Sequence, residues 1–266
     1  MEMVLLTALG VGGATVIGAI IGFLFKKASH KFSDIVLAFA AGVMLAAAVL
    51  GLIVPSVEHG FAMLRPNDDS PYLWQKMLAL LMTVSGVFVG AFCLNLIDKL
   101  VPHLHKMVGT DIEDHQNNKK TGKVLLFVMA IAIHNLPEGI AAGVGFGSGN
   151  VSEALLIAGG IALQNIPEGM VIIAPMLSAG VTPRRTFLIA LGTGLVEVVG
   201  TLIGYFAVSI SAAILPFALA FAGGTMLYVI SDEMIPETHA HGSERGATYS
   251  LLVGFCLMLV FDVLLG

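Results

Sequence analysis

Two six-residue segments decide what this chain can be. His134-Asn135-Leu136-Pro137-Glu138-Gly139 and Gln164-Asn165-Ile166-Pro167-Glu168-Gly169 repeat one pattern. Both lie in apolar runs, 123–145 and 151–178, each long enough to cross a bilayer as a helix. Positions three and four apart share a helix face. His134 and Asn135 therefore face the same way as Glu138, and Gln164 and Asn165 the same way as Glu168. Pro137 has no N–H, so the carbonyl of Ile133 loses its helical partner; Pro167 does the same to Leu163. In hydrocarbon a freed carbonyl needs another protein group, a water or an ion. Gly139 and Gly169 allow close helix approach. A central acidic residue costs about 2.5–3.5 kcal/mol even on mild insertion scales. Two such kinks carry the parts of a cation site at the membrane midplane.

Composition sets the solvent. The chain has 266 residues, 57% hydrophobic and 12% charged, with mean hydropathy +0.92. That is a polytopic membrane protein with little left for a soluble domain. The expected fold is an all-α membrane protein of eight transmembrane helices, forming a single transport domain. The spans are 3–25, 33–54, 74–97, 123–145, 151–178, 186–209, 212–231 and 247–265. Met1-Glu2-Met3 offers no basic leader region, so the first apolar run reads as a retained span. No basic stripe points to nucleic acid. Cys93 and Cys256 both fall in apolar segments and read as packing thiols.

Lysine and arginine orient the chain. Lys26, Lys27, Lys31, Lys99, Lys106, Lys119, Lys120, Lys123, Arg184, Arg185 and Arg245 fall on one side, against Arg65 and Lys76 on the other. The rich side is cytoplasmic. Both termini are thereby expected outside the cytoplasm, and the loop 98–122 inside. That loop holds His103, His105, Asp111, Glu113, Asp114 and His115, and reads as a solvated linker or a weak metal-binding loop. The outer segment 58–72 carries Glu58, His59, Asp68 and Asp69, a mildly acidic vestibule.

A second repeat links distant parts. Ala38-Phe39-Ala40-Ala41-Gly42-Val43-Met44-Leu45 matches Ala220-Phe221-Ala222-Gly223-Gly224-Thr225-Met226-Leu227 at six positions of eight. Each copy runs on to a proline and an acidic-His tail, Pro55 to His59 and Pro236 to His239. The two spans run in opposite directions. Spans 1–3 and 6–8 thus read as inverted repeats around a central pair, a 3+2+3 arrangement that transporters use with the substrate site at the repeat interface.

Counting along the spans puts Met44, His134, Gln164 and Glu197 at one depth. Glu197 is the third intramembrane carboxylate. Three ionised carboxylates carry −3; one dication leaves −1 and two leave +1. The site therefore holds two metals, or one metal and a proton. Imidazole with carboxylate suits Zn²⁺, Fe²⁺ and Mn²⁺.

These residues resemble the ZIP (Zrt-, Irt-like) metal transporter family, in its short prokaryotic-type branch, over essentially the whole chain. His-Asn-x-Pro-Glu-Gly at 134–139 and Gln-Asn-x-Pro-Glu-Gly at 164–169 carry the resemblance. It implies secondary transport of a divalent metal (Zn²⁺, Cd²⁺, Fe²⁺ or Mn²⁺) into the cytoplasm across the cell membrane, with the metal as cargo and no cofactor. It also implies a binuclear site. One position would use Met44, His134, Glu138, Gln164 and Glu168. The other would use Asn135, Glu138, Asn165, Glu168 and Glu197, with Glu138 and Glu168 bridging. Some relatives have Asp where this chain has Asn165. Asp232, Glu233, His239 and His241 resemble the family's exit region. Elevator-like sliding against a static, dimerising part is implied as well, and with it a homodimer.

An enzyme is not expected. His134-x-x-x-Glu138 lacks the His-Glu-x-x-His spacing of a zincin, and no Ser/His pair lies in the spans. A proton-coupled carrier of another solute would need aromatic or basic anchors that the central helices lack. A metal exporter shares every feature named, because direction is set by gradients.

Overall fold

The structure, a computed structural model, describes residues 1–25, 29–64, 72–108 and 132–265. Eight helices cross back and forth: α1 Glu2–Gly22, α2 His30–Leu64, α3 Leu73–Val108, α4 over 132–145, α5 Val151–Ser178, α6 Pro183–Ile210, α7 Leu215–Thr238 and α8 Glu244–Leu265. Seven are long and apolar enough to span a bilayer; α4 is the described part of the expected span 123–145, whose start lies outside the described residues. The loop residues 109–122, Asp68, Asp69, Lys26, Lys27 and Arg65 also lie outside them. Polar caps start the helices. Ser29 accepts from the Phe32 N–H, Asn150 from those of Ser152 and Glu153, and Thr182 from that of Arg185.

Three helix ends differ from the sequence expectation. α3 does not stop at residue 97 but continues to Val108, so His103 and His105 are on helix rather than loop. The end of an apolar run marks where a helix leaves hydrocarbon, not where its hydrogen bonding stops. α2 and α7 likewise run through their prolines. In each, a π-helical stretch, Ala47–Ile53 and Ile230–Met234, precedes Pro55 and Pro236. The wider turn accommodates a residue that cannot donate. The same irregularity in both copies of the second repeat fits their relatedness.

Packing follows the repeat closely. Gly42 in α2 and Gly224 in α7 hold the same place in the motif. A Cβ on Gly42 would strike the backbone of Leu251 in α8, and one on Gly224 that of Val87 in α3. In return Gly254 of α8 lies on Phe39, and Gly90 of α3 on Phe221. α1 and α6 correspond too. Gly12, Gly18 and Gly22 share a spacing with Gly194, Gly200 and Gly204. Gly12 and Gly194 touch each other; Gly18 and Gly22 lie on Ile166 and Met170 of α5, Gly200 and Gly204 on Leu136 and Ile140 of α4.

These contacts sort the helices into two bundles: α1, α4, α5, α6 and α2, α3, α7, α8. Among the described residues, each glycine whose Cβ would strike a neighbouring helix backbone does so within its own bundle. Across the seam the glycine positions meet side-chain ends instead: a Cβ on Gly51 of α2 would lie 3.1 Å from Ile157 Cγ1, and one on Gly160 of α5 2.8 Å from Met258 Cε. An apolar core including Met44, Ala47, Ala141, Ile157, Ile161 and Met258 fills the seam. Interlocked backbones resist relative motion, whereas side-chain ends repack at low cost. Gly169→Leu, which would drive a side chain into the Thr15 backbone, is expected to remove the monodisperse species from size-exclusion profiles in detergent. Gly159→Leu, with nothing within 4 Å of its Cβ position, should leave the elution unchanged.

Candidate metal site

Both proline-broken motifs face the interior of the first bundle. Asn135, Glu138, Gln164, Asn165 and Glu197 are at most 1% exposed; His134 and Glu168 are each 8% exposed. The three carboxylates lie within electrostatic reach of one another. Their hydrogen bonds divide them into two kinds.

Glu197 is an acceptor with partners on both oxygens. Its Oε1 accepts from the Thr15 hydroxyl at 2.6 Å and from Asn135 Nδ2, and its Oε2 accepts from Asn165 Nδ2 at 2.6 Å. A carboxylate only accepts, so both asparagines must present their NH₂ groups to it. Asn135 Nδ2 also reaches Thr193 O, and Asn165 Nδ2 reaches Val11 O. The amide oxygens are thereby turned the other way. The sequence placed Glu197 among direct ligands; here its two oxygens accept three hydrogen bonds between them.

The second kind is unsatisfied. Gln164 Nε2 donates to Glu138 Oε1 at 2.9 Å, which leaves Glu138 Oε2 and Gln164 Oε1 without partners. Asn135 Oδ1, Asn165 Oδ1 and Glu168 Oε1 are also buried and unpartnered. Five orphan oxygens on two facing kinks would each cost about 1–3 kcal/mol if nothing met them. All five are acceptors, so what meets them is a cation or a donor.

His134 points elsewhere. Its Nε2 donates to Glu233 Oε1 at 2.7 Å, across the seam from α4 to α7. Both line a cavity of about 480 Å³ with Glu168, Asp232, Pro236, Glu237 and Ala240, at the end of α7. Glu168 thus links the buried cluster to a cavity opening on the face opposite the termini. Met44 is fully buried in the seam core. Of the expected exit residues, Asp232 and Glu233 line this cavity and His239 and His241 do not. His239 bonds Ile235 O at 2.9 Å and lies 3.2 Å from Thr248. His241 bonds Asp34 at 3.1 Å and stacks on His30. Among the described residues no three His, Cys, Asp or Glu side chains gather as a ready metal cluster. The reason is visible: His134 is held by Glu233, and three of the five free oxygens belong to amides.

Sequence reasoning missed Thr15. A signal existed. Gly12-x-x-Thr15-x-x-Gly18-x-x-x-Gly22 and Gly194-x-x-Glu197-x-x-Gly200-x-x-x-Gly204 share one spacing, so Thr15 occupies the place of Glu197 in the other copy.

A family model described as "ZIP Zinc transporter" matches residues 113–262, more than half of the chain. The chain belongs to the ZIP family. The zinc transporter GufA of Myxococcus xanthus is 39% identical to this ZIP chain, over 98% of each. Zinc transporter ZIPB of Bordetella bronchiseptica is 34% identical, over 95% of this chain and 78% of its own. Human zinc transporter ZIP11 is 31% identical, over 96% and 94% respectively. The similarity therefore runs through both bundles and both kinks of this ZIP protein.

Proposed function

We propose that this protein is a secondary transporter of divalent transition metal, Zn²⁺ foremost, with Cd²⁺, Fe²⁺ and Mn²⁺ as further cargo. One observation carries the reading: five buried, unpartnered oxygens belong to the two proline-broken motifs. The names of the relatives, all zinc transporters, support the choice of metal. The first metal position takes Glu138, Gln164 and Glu168, with His134 swinging in from Glu233 and Met44 closing the seam side. The second takes the oxygens of Asn135 and Asn165 with Glu138 and Glu168 as bridges. Glu197 serves it by orienting both amides. Asp232 and Glu233 receive the ion in the cavity beyond.

The cavity face carries the excess of lysine and arginine, which supports a cytoplasmic exit and termini outside. The relatives are named as transporters, and no chemistry beyond ligand exchange is assigned. Sliding of one bundle along the side-chain seam would move the site between faces. The outward apolar surfaces of α3 and α8, with Phe88, Phe92 and Val253, serve lipid and a second copy in a homodimer. The experiment is competition uptake in proteoliposomes. Zn²⁺ entry is expected, with Cd²⁺, Fe²⁺ and Mn²⁺ competing at graded concentrations. Failure of all four to enter removes the proposal.

A further inference from the structure

Two His–Glu pairs bridge the seam, one toward each face. His134–Glu233 lies beside the open cavity. The other, His59 of α2 with Glu153 of α5, lies toward the face of the termini, with Nε2 and Oε1 at 3.4 Å. The second has no part in the site described above. Glu153 sits in the first turn of α5, three residues after the capping Asn150, so its backbone is firmly placed. His59 sits past the π-helical stretch of α2, in the acidic-His tail of the repeat. The pair is only partly exposed, with side-chain exposures of 28% and 19%. Beside it is a cavity of about 330 Å³, floored by Gly51 and Ile157 where the bundles meet. Among the described residues the other charged groups lining that cavity are acidic: Glu58 on its own helix and Asp262 on α8.

We propose that His59 and Glu153 are positioning residues of the transport cycle, a latch that holds the two bundles closed on the termini face while the site is open to the other. This rests on the transport reading above. The geometry gives the pair this leverage. Side-chain ends repack across the seam at low cost, so a charged hydrogen bond between the bundles biases which face is open. Any slide of α5 along α2 separates His59 from Glu153. Removing either partner shifts the population toward opening on the termini face. Deprotonating His59 does the same, because the pair then loses its charge.

Ile157 is fully buried at the floor of the cavity and reports that opening. In a Cys93→Ser, Cys256→Ser background, Ile157→Cys protein in nanodiscs is labelled with a charged maleimide. Glu153→Gln and His59→Gln are each expected to raise the labelling rate about two- to fivefold, the size of a partly exposed ion pair. The exchange His59→Glu with Glu153→His should restore the slow rate. With Glu153 intact the rate should rise between about pH 5 and 8, once corrected for the reagent's own pH dependence, and with Glu153→Gln it should stay flat. Equal rates in all variants, or a pH profile unaffected by Glu153→Gln, overturn the latch. Should the rates shift while the parent protein carries no metal in proteoliposomes, the latch stands and the transport reading falls.

Discussion

Glu138→Ala is expected to abolish metal uptake, lowering the initial Zn²⁺ flux in proteoliposomes at least about a hundredfold while the protein elutes and melts normally. Glu138 is fully buried, with one oxygen held by Gln164 and the other unpartnered. It is one of the two carboxylates assigned to both metal positions. Losing one charged ligand from a site of three carboxylates and neutral amides removes a bond that no neighbour can replace. At about 1.4 kcal/mol per factor of ten, a loss of only 3 kcal/mol already gives the expected drop. Folding should survive. The methyl group leaves one Gln164 amide unpaired, and a water from the 480 Å³ cavity side can fill the space. Glu138→Gln should lie between the two, since it keeps an oxygen ligand without the charge. Unchanged flux in Glu138→Ala would remove the buried cluster from the transport path.

Glu197→Ala should act differently, through stability first. It removes the acceptor of the Thr15 hydroxyl and one acceptor each of the amides of Asn135 and Asn165, groups on α1, α4 and α5 that this carboxylate ties together. Each stranded donor in a dry interior costs about 1–3 kcal/mol, and the total is comparable with the whole net stability of about 5–15 kcal/mol. We expect a fall in Tm of more than about 10 °C in detergent, with metal uptake lost as well. Glu197→Gln keeps one acceptor oxygen and should lose less of both. A residue that served as ligand alone would give the reverse pattern, uptake lost with Tm unchanged. Thermal melts of the two variants beside their fluxes separate these roles.

The sequence disclosed the elements that hydrocarbon imposes and concealed those that depend on partners. Eight apolar runs, two acidic kinks and the Met44–Met226 repeat could be read directly, because a bilayer forces length, polarity and self-satisfied backbones into local patterns. Helix ends were less legible. Nothing in residues 98–108 says whether a helix leaving the membrane frays or continues, and it continues to Val108. That α2 and α7 continue through Pro55 and Pro236 was not legible either, because the compensation, a π-helical stretch just before each proline, has no residue signature. For the candidate site, spacing within one helix placed Asn135 and Glu138 together but could not say what each faces. That Glu197 gathers donors from three helices, that His134 turns to Glu233, and that His59 meets Glu153 are all contacts between distant helices. Only the matched glycine spacing of α1 and α6 held a clue, and it concerned Thr15.

The claim at the centre is that acidic side chains stay buried between two kinked helices because a dication meets them there. Anomalous scattering at the zinc edge, from crystals of the protein grown with Zn²⁺, tests it most directly. The account predicts an anomalous peak between α4 and α5, about 2.0–2.2 Å from oxygens of Glu138 and Glu168, and a second peak within a few ångströms beside Asn135 and Asn165. Zinc bound solely at surface histidines, with no anomalous density between the two kinks, would contradict it.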